Sequence, residues 1–288
     1  MARASDWIGA ARPRTLPAAV APVATGIAVA VASGRVVVWR AGLAAVVALA
    51  LQIGTNYAND YSDGVRGTDA VRVGPTRLVA SGLAQPAVVR RAAVVAFALA
   101  ALAGLALALA TSLWLLLVGA ASIAAGWLYT GGPRPYGYAG LGELFVFVFF
   151  GLVAGTGTAY VASGHLGALA LVASLPVGLL AVALLVVNNL RDIPTDAASG
   201  KATLAVRIGA RRTRALYAGC VLGALVLAVA VAAFRPAALL ALGAAPLALP
   251  PVRRVLAGAQ GRDLIAVLAM TGGLQIAFAA LLAVGIAL

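Results

Sequence analysis

The chain has 288 residues, of which 63% are hydrophobic and only 10% charged, whereas soluble domains average about 25% charged residues; a soluble enzyme and a disordered chain are both excluded. Its single cysteine, Cys220, excludes a disulfide scaffold and a thiolate metal cluster. A net charge of +13 would suggest nucleic acid in a soluble protein, but the distribution of the charges along the chain places them on one side of a membrane.

A transmembrane helix needs roughly 20 apolar residues, and the charged or turn-rich breaks divide the chain into nine such stretches. Residues 1–15 read as a short cytoplasmic lead into the first, 16–33. The second, 41–58, runs into Asn56-Tyr57-Ala58-Asn59-Asp60-Tyr61-Ser62-Asp63, followed by a long loop to residue 91. Spans 92–110 and 112–129 form a tight pair. Tyr129-Thr130-Gly131-Gly132-Pro133-Arg134 then leads to the fifth, 141–162, where Gly151, Gly155 and Gly157 permit close helix approach or leave groove space. The sixth, 167–190, enters Asn188-Asn189-Leu190-Arg191-Asp192-Ile193-Pro194-Thr195-Asp196, where Pro194 is expected to end the helix and leave Asp196 on a loop. Spans 215–233, 237–252 and 264–288 complete the chain; the eighth is short, with Pro246 and Pro250 near its end, and is tilted, kinked or partly re-entrant. The expected fold is all-α: one domain over residues 1–288, a polytopic membrane bundle of nine transmembrane helices.

Successive loops of such a bundle alternate sides, so the excess of basic residues in cytoplasmic loops tests the count. All basic residues except Arg35, Arg40 and Arg235 fall on one side, and so do all eight acidic residues. The N-terminus is therefore expected in the cytoplasm, the C-terminus outside, and the chemistry at the cytoplasmic edge.

The two long cytoplasmic loops open on similar runs, each an Asn-x-x-x-Asp followed by a further Asp three or four residues on, nearly half the chain apart. That spacing predicts a weak two-fold internal repeat, about 41–140 and 167–263. Helical positions i, i+4 and i+7 or i+8 share a face, so Asn56, Asp60 and Asp63 project together, as do Asn188, Asp192 and Asp196. Two facing carboxylate sets with amide oxygens form a hard-oxygen site suited to magnesium, which completes its octahedron with water and phosphate oxygens. Arg66, Arg72, Arg77, Arg191 and Lys201 supply the cationic half of a diphosphate clamp. The alternative, two solvated helix ends that happen to carry Asp, is disfavoured by the duplication and by the cost of polar groups at membrane depth.

These residues resemble the UbiA superfamily of intramembrane aromatic prenyltransferases. Asn59-Asp60-x-x-Asp63 is similar to the family's N-D-x-x-D core, with the next Asp at Asp69. Within the family, Gly67-Thr68-Asp69, Arg12-Pro13-Arg14-Thr15-Leu16-Pro17, Gly74-Pro75-Thr76-Arg77-Leu78-Val79-Ala80-Ser81-Gly82, Tyr129-Thr130-Gly131-Gly132-Pro133, Asn188-Asn189-Leu190-Arg191-Asp192-Ile193 and Gly200-Lys201-Ala202-Thr203-Leu204 resemble the branch acting on 1,4-dihydroxy-2-naphthoate in menaquinone synthesis. The resemblance implies a cytoplasm-facing cavity with a lateral opening for an isoprenoid chain. It implies magnesium-dependent transfer from polyprenyl diphosphate to the naphthoate ring, with loss of its carboxylate as carbon dioxide, giving demethylmenaquinone.

Carried onto this chain, the resemblance assigns Mg2+ to Asp60, Asp63, Asp192 and Asp196 as the catalytic carboxylates. Asn56 and Asn188 orient them or touch the diphosphate, which Arg66, Arg191 and Lys201 grip. Tyr129, Arg134, Tyr136 and Tyr138 are candidates for the aromatic acceptor, with Arg134 on its carboxylate; Tyr129 and Trp127 read equally well as an interfacial aromatic belt. Phe145, Phe147, Phe149 and Phe150 read as lipid-facing or core residues, one or two of them lining the isoprenoid groove. The expected partners are the two substrates and membrane lipid, without nucleic acid, and the expected location is a bacterial plasma membrane with the site facing the cytoplasm. Two other functions remain: a family member with another acceptor such as 4-hydroxybenzoate, and a secondary transporter, against which the grouping of carboxylates at one inner edge argues.

Overall fold

The computed structural model describes residues 2–68 and 77–288, and every regular element among them is helical. In chain order these are α1 (Ala4–Ala10), α2 (Pro17–Ala32), α3 (Val38–Arg66), α4 (Pro86–Ala110), α5 (Trp114–Leu128) and α6 (Gly142–Val146), which continues through a π-helical stretch, Phe147–Val153, into α7 (Ala154–Ser163). They are followed by α8 (Ala168–Ala198), α9 (Leu204–Ala232), a 3-10 stretch Pro236–Ala244 leading into α10 (Ala245–Leu256), and α11 (Asp263–Ala287). Helix occupies each of the nine stretches expected from the sequence. Seven helices among the described residues are long and apolar enough to cross a membrane, taking Gly142–Ser163 and Pro236–Leu256 as single spans, and an eighth is gained if Ala4–Thr15 and Pro17–Ala32, bent by 55°, are joined. The fifth stretch, Trp114–Leu128, is shorter at 15 residues.

The helices that carry the two Asp-rich runs extend roughly two turns beyond their apolar spans. Both end the same way. Gly67 (φ 73°) and Gly200 (φ 75°) adopt the left-handed conformation open to glycine. The next residue's N–H then turns back onto a carbonyl five positions earlier, Thr68 onto Asp63 at 3.1 Å and Lys201 onto Asp196 at 2.9 Å, which satisfies carbonyls that a helix end otherwise leaves orphaned. Pro194 does not end α8 as expected. The helix runs through it to Ala198, and the turn around the missing donor is tied by the Thr195 hydroxyl to the Asp192 carbonyl (3.0 Å) and the Ser199 hydroxyl to the Asp196 carbonyl (3.1 Å). Asp196 is therefore a helical residue, one turn after Asp192.

The core is built around α8, apolar on all sides from Ala168 to Val187 and therefore central. It packs on α9 and α11 through Val177, Leu180, Val186, Tyr217, Val221, Leu274 and Phe278, all essentially without exposed surface. Small residues allow close approach: a Cβ at Gly151 would stand 2.7 Å from the Gly178 Cα, and one at Gly155 would stand 2.2 Å from the Ser174 hydroxyl. A Cβ at Gly157 would meet nothing within 4 Å. At the polar end, α1 lies over α3, with Trp7 edge-on to Tyr57 at 5.6 Å and Ala10 packed in a cluster with Leu78 and Val89.

Candidate active site

One cavity of about 470 Å³ runs through the bundle, lined by α2, α3, α4, α5, the Gly142–Ser163 helix and α8. Its length can be read along α3, where Ala44 and Asp63 both line it, a helical rise of about 28 Å at 1.5 Å per residue. One end is apolar: Ala44, Leu107 and Val161 form a buried cluster there with Leu115 against it. The other end is a polar cap of Asn56, Asn59, Asp63, Asn188, Asp192 and Asp196, with Arg12, Arg77 and Lys201 on the same surface.

The face of α3 that meets the cap is fixed by helical geometry. Asn59 and Asp63 are one turn apart and both line the cavity, whereas Asp60, rotated by about 100° from Asn59, does not. The matched helix ends make Asp63 the counterpart of Asp196, and hence Asn59 that of Asp192. The sequence runs had suggested matching Asp60 with Asp192; the caps shift that register by one residue. Asn59 is therefore a cap residue that the i, i+4, i+7 reading passed over, although it stands in the quoted motif.

The cap carboxylates are held by specific partners. Asp63 accepts from Tyr138 at 2.5 Å and pairs with Lys201 Nζ at 3.1 Å, and Lys201 also lies 5.0 Å over the Tyr138 ring. Asp192 receives both Nε and Nη2 of Arg191, at 2.7 and 2.8 Å, while the same Nη2 reaches Asn188 Oδ1 at 2.8 Å. Asn59 Oδ1 accepts from the Thr130 hydroxyl at 2.8 Å. Burial pushes the phenols of Tyr136 and Tyr138 up from their ordinary value, so both are protonated donors at neutral pH.

The structure separates the expected diphosphate contacts. Lys201, Asn56 and Asn188 line the cavity, but Arg66 and Arg191 do not. Arg66 donates to the Thr130 and Gly132 carbonyls, tying the turn after α5 to the end of α3, and Arg191 is the fork on Asp192. Asn56 donates to the Ala11 carbonyl at 2.8 Å and to Thr15 Oγ1 at 3.3 Å, which fastens the segment carrying Arg12. Arg12 itself, at φ 54°, was read only as a basic residue of the lead. Asp69, Arg72 and Gly74-Pro75-Thr76 lie outside the described residues.

Of the acceptor candidates, Tyr129, Tyr136 and Tyr138 line the cavity. Arg134 is exposed and lies apart from it, because the turn faces its Tyr side chains inward and leaves the guanidinium to solvent. The aromatic rings continue downward as a ladder: Tyr129 edge-on to Tyr136 at 5.5 Å, Tyr136 stacked on Phe145 at 4.0 Å, Phe145 stacked on Phe149 at 6.0 Å. Phe145, Phe149 and Phe150 thus line the cavity, more of the phenylalanines than expected, while Phe147 packs against Gly178. The π-helical stretch divides these faces, since its wider turn lets Gly151 touch α8 while Phe149 and Phe150 point at the cavity.

The family model described as the UbiA prenyltransferase family matches residues 19–271. A curated relative from Mycobacterium tuberculosis, 1,4-dihydroxy-2-naphthoate octaprenyltransferase, is 54% identical over 272 residues, covering 94% of this chain and 93% of its own. The protein of the same name from Escherichia coli is 40% identical, covering 78% and 76%. Among solved structures, a UbiA homologue from Aeropyrum pernix K1 superposes with a TM-score of 0.72 at 16% identity, covering 92% of this chain and 97% of that one. One from Archaeoglobus fulgidus bound to GPP and Mg2+ gives 0.66 at 14%, covering 96% and 99%. At these identities the structural likeness shows the fold alone.

Proposed function

The chain belongs to the UbiA prenyltransferase family, and from that premise we propose that it transfers a polyprenyl group from polyprenyl diphosphate to 1,4-dihydroxy-2-naphthoate, releasing the carboxylate as carbon dioxide and giving demethylmenaquinone. The observation that carries this reading is the continuity of one cavity from a cap of acidic and basic groups to an apolar body of about 28 Å, close to the roughly 30 Å of a bilayer's hydrocarbon. An isoprenoid tail gains about 0.8 kcal/mol per CH₂ on leaving water, so the apolar body holds the tail while the diphosphate meets the cap.

The donors at the cap are aspartate and amide oxygens without sulfur or nitrogen ligands, a set suited to magnesium. Among the described residues no three His, Cys, Asp or Glu groups converge into a metal cage, which fits an ion that takes one or two carboxylates and fills its shell with water and substrate phosphate. Asp63, Asp192 and Asp196 would hold it, with Asn59 and Asn188 beside them. Once bound, magnesium neutralises the charge that develops on the departing diphosphate. Lys201, Arg77 and Arg12 bring positive charge to the same cap; Arg191 holds Asp192, and Arg66 holds the acceptor turn. Tyr129, Tyr136 and Phe145 offer ring faces to an allylic cation without a nucleophile to capture it. The electron-rich naphthoate attacks that cation at the carbon bearing its carboxylate.

The same reading takes the protein as a multi-pass protein of a bacterial plasma membrane with nine crossings, N-terminus and cap in the cytoplasm and C-terminus outside, supported by the sorting of basic residues among its loops. The internal repeat is supported by the matched ends of α3 and α8. The test is product analysis with purified protein, a polyprenyl diphosphate and magnesium, offering 1,4-dihydroxy-2-naphthoate or 4-hydroxybenzoate in separate reactions with a chelator control. Demethylmenaquinone formed only from the naphthoate, and lost with chelator, is the expected result; prenylated 4-hydroxybenzoate in its place would reassign the acceptor.

A further inference from the structure

The structure assigns to Asp60 a positioning role: its carboxylate fixes the turn after residue 76 onto α3 and so delivers Arg77 to the cap. Asp60 has no exposed surface and does not line the cavity. Its two oxygens accept the backbone N–H groups of Leu78 and Val79, at 2.9 and 3.0 Å, and Arg77, which does line the cavity, is the residue immediately before them.

Three further features fix the same turn. The Leu78 side chain is fully buried in a cluster with Ala10 and Val89, with Trp7, Tyr57 and Tyr61 packed against it. The turn is closed internally by Ser81 N–H on the Arg77 carbonyl (3.1 Å), Gly82 N–H on Val79 (3.0 Å) and Ala84 N–H on Leu78 (3.0 Å). One helical turn after Asp60, Gly64 leaves room for Val79: a Cβ there would stand 2.5 Å from both Val79 Cβ and Cγ1. α3 thus divides its polar turns by face. Asn59 and Asp63 serve the cap, while Asn56 and Asp60 hold the two segments that carry Arg12 and Arg77.

A carboxylate accepting two backbone N–H groups acts as a clamp, and each hydrogen bond to a charged group is among the stronger ones in a protein. Asp60→Asn keeps one acceptor and the side chain's shape but loses the charge and the second bond. Gly64→Ala loosens the same turn without touching Asp60. The experiment measures both variants in two ways. The first is the rate of tryptic cleavage after Arg77 in the protein without substrates, which is independent of the prenyl-transfer reading. The second, which rests on that reading, is the pair of constants for polyprenyl diphosphate and for magnesium in the prenyl-transfer assay. Both variants are expected to speed cleavage after Arg77 by about tenfold or more and to raise the diphosphate KM by a similar factor, leaving half-saturation by magnesium within about twofold. Cleavage at the wild-type rate in Asp60→Asn, or a raised magnesium requirement in Asp60→Asn that Gly64→Ala does not share, overturns the assignment. Faster cleavage in both variants with no prenyl transfer by the wild type would uphold the clamp and overturn the proposed function instead.

Discussion

Lys201 Nζ stands 3.1 Å from Asp63 Oδ2, so the residue that closes the C-terminal turn of α8 is also the counter-ion of the last acidic residue of α3. Both side chains are almost fully buried, and removing one partner of a buried pair costs about 3–5 kcal/mol because the other is left uncompensated. Lys201→Met should therefore lower the melting temperature in detergent and abolish turnover. Adding Asp63→Asn should restore most of the stability and none of the activity. A double variant as unstable as Lys201→Met alone would show that the pair is not what Lys201 contributes.

Tyr138 reports on the same carboxylate. Burial, with the nearby Asp63 charge next, raises its phenol above the ordinary value of 10.0. A raised value in the folded state contributes stability that is fully present below pH 10 and is lost as pH rises through the folded value. Tyr138→Phe should cost about 1–2 kcal/mol at neutral pH by removing the hydrogen bond to Asp63, and should flatten the loss of stability above pH 10. Thermal melts of both proteins across pH 7–11 check the two effects together.

The glycines of Gly142–Ser163 should separate by face. Gly151→Ala places a Cβ 2.7 Å from the Gly178 backbone and should destabilise by about 1–3 kcal/mol through overpacking. Gly157→Ala has open space and projects into the cavity, so it should melt like the wild type while altering which isoprenoid lengths are used. Melting curves and a panel of prenyl diphosphates of different length decide both.

Arg134 is exposed and apart from the cavity. Arg134→Ala should therefore leave the naphthoate KM within about twofold, since exposed substitutions away from buried features generally change little. Tyr136→Leu, which removes a ring from the ladder, should lower kcat. Steady-state kinetics with varied naphthoate separate the two.

The helical spans were legible because a membrane imposes a length and an apolar composition that the chain shows directly, and the segment carrying each carboxylate was legible for the same reason. What was not legible was rotation. Asn56, Asn59, Asp60 and Asp63 lie within little more than two turns, and which of them faces the cavity depends on packing that periodicity does not encode once polar residues crowd every side. The single signal available was the glycine closing each helix: aligning Gly67 with Gly200 pairs Asp63 with Asp196 and moves Asp60 off the cap. Arg66 and Arg191 were misjudged for a related reason. An Arg near a carboxylate cluster can hold the scaffold as readily as a ligand, and only the hydrogen bonds separate the two. Pro194 misled because side-chain hydroxyls at Thr195 and Ser199 replace the ties that its ring removes.

The π-helical stretch from Phe147 to Val153 carries a frame-keeping role as well as a packing one. Its widened turn sets the rotational phase of everything that follows, including the meeting of Gly155 with Ser174 and of Gly26 with Gly155. Removing a single residue here would let the segment rewind as an ordinary helix and swing α7 by about 100° about its axis. Gly155 would leave its contact and Gly157 would leave the cavity wall. Deletions in this segment should be far less tolerated than substitutions, so the length of the stretch is under tighter constraint than the identity of most of its residues.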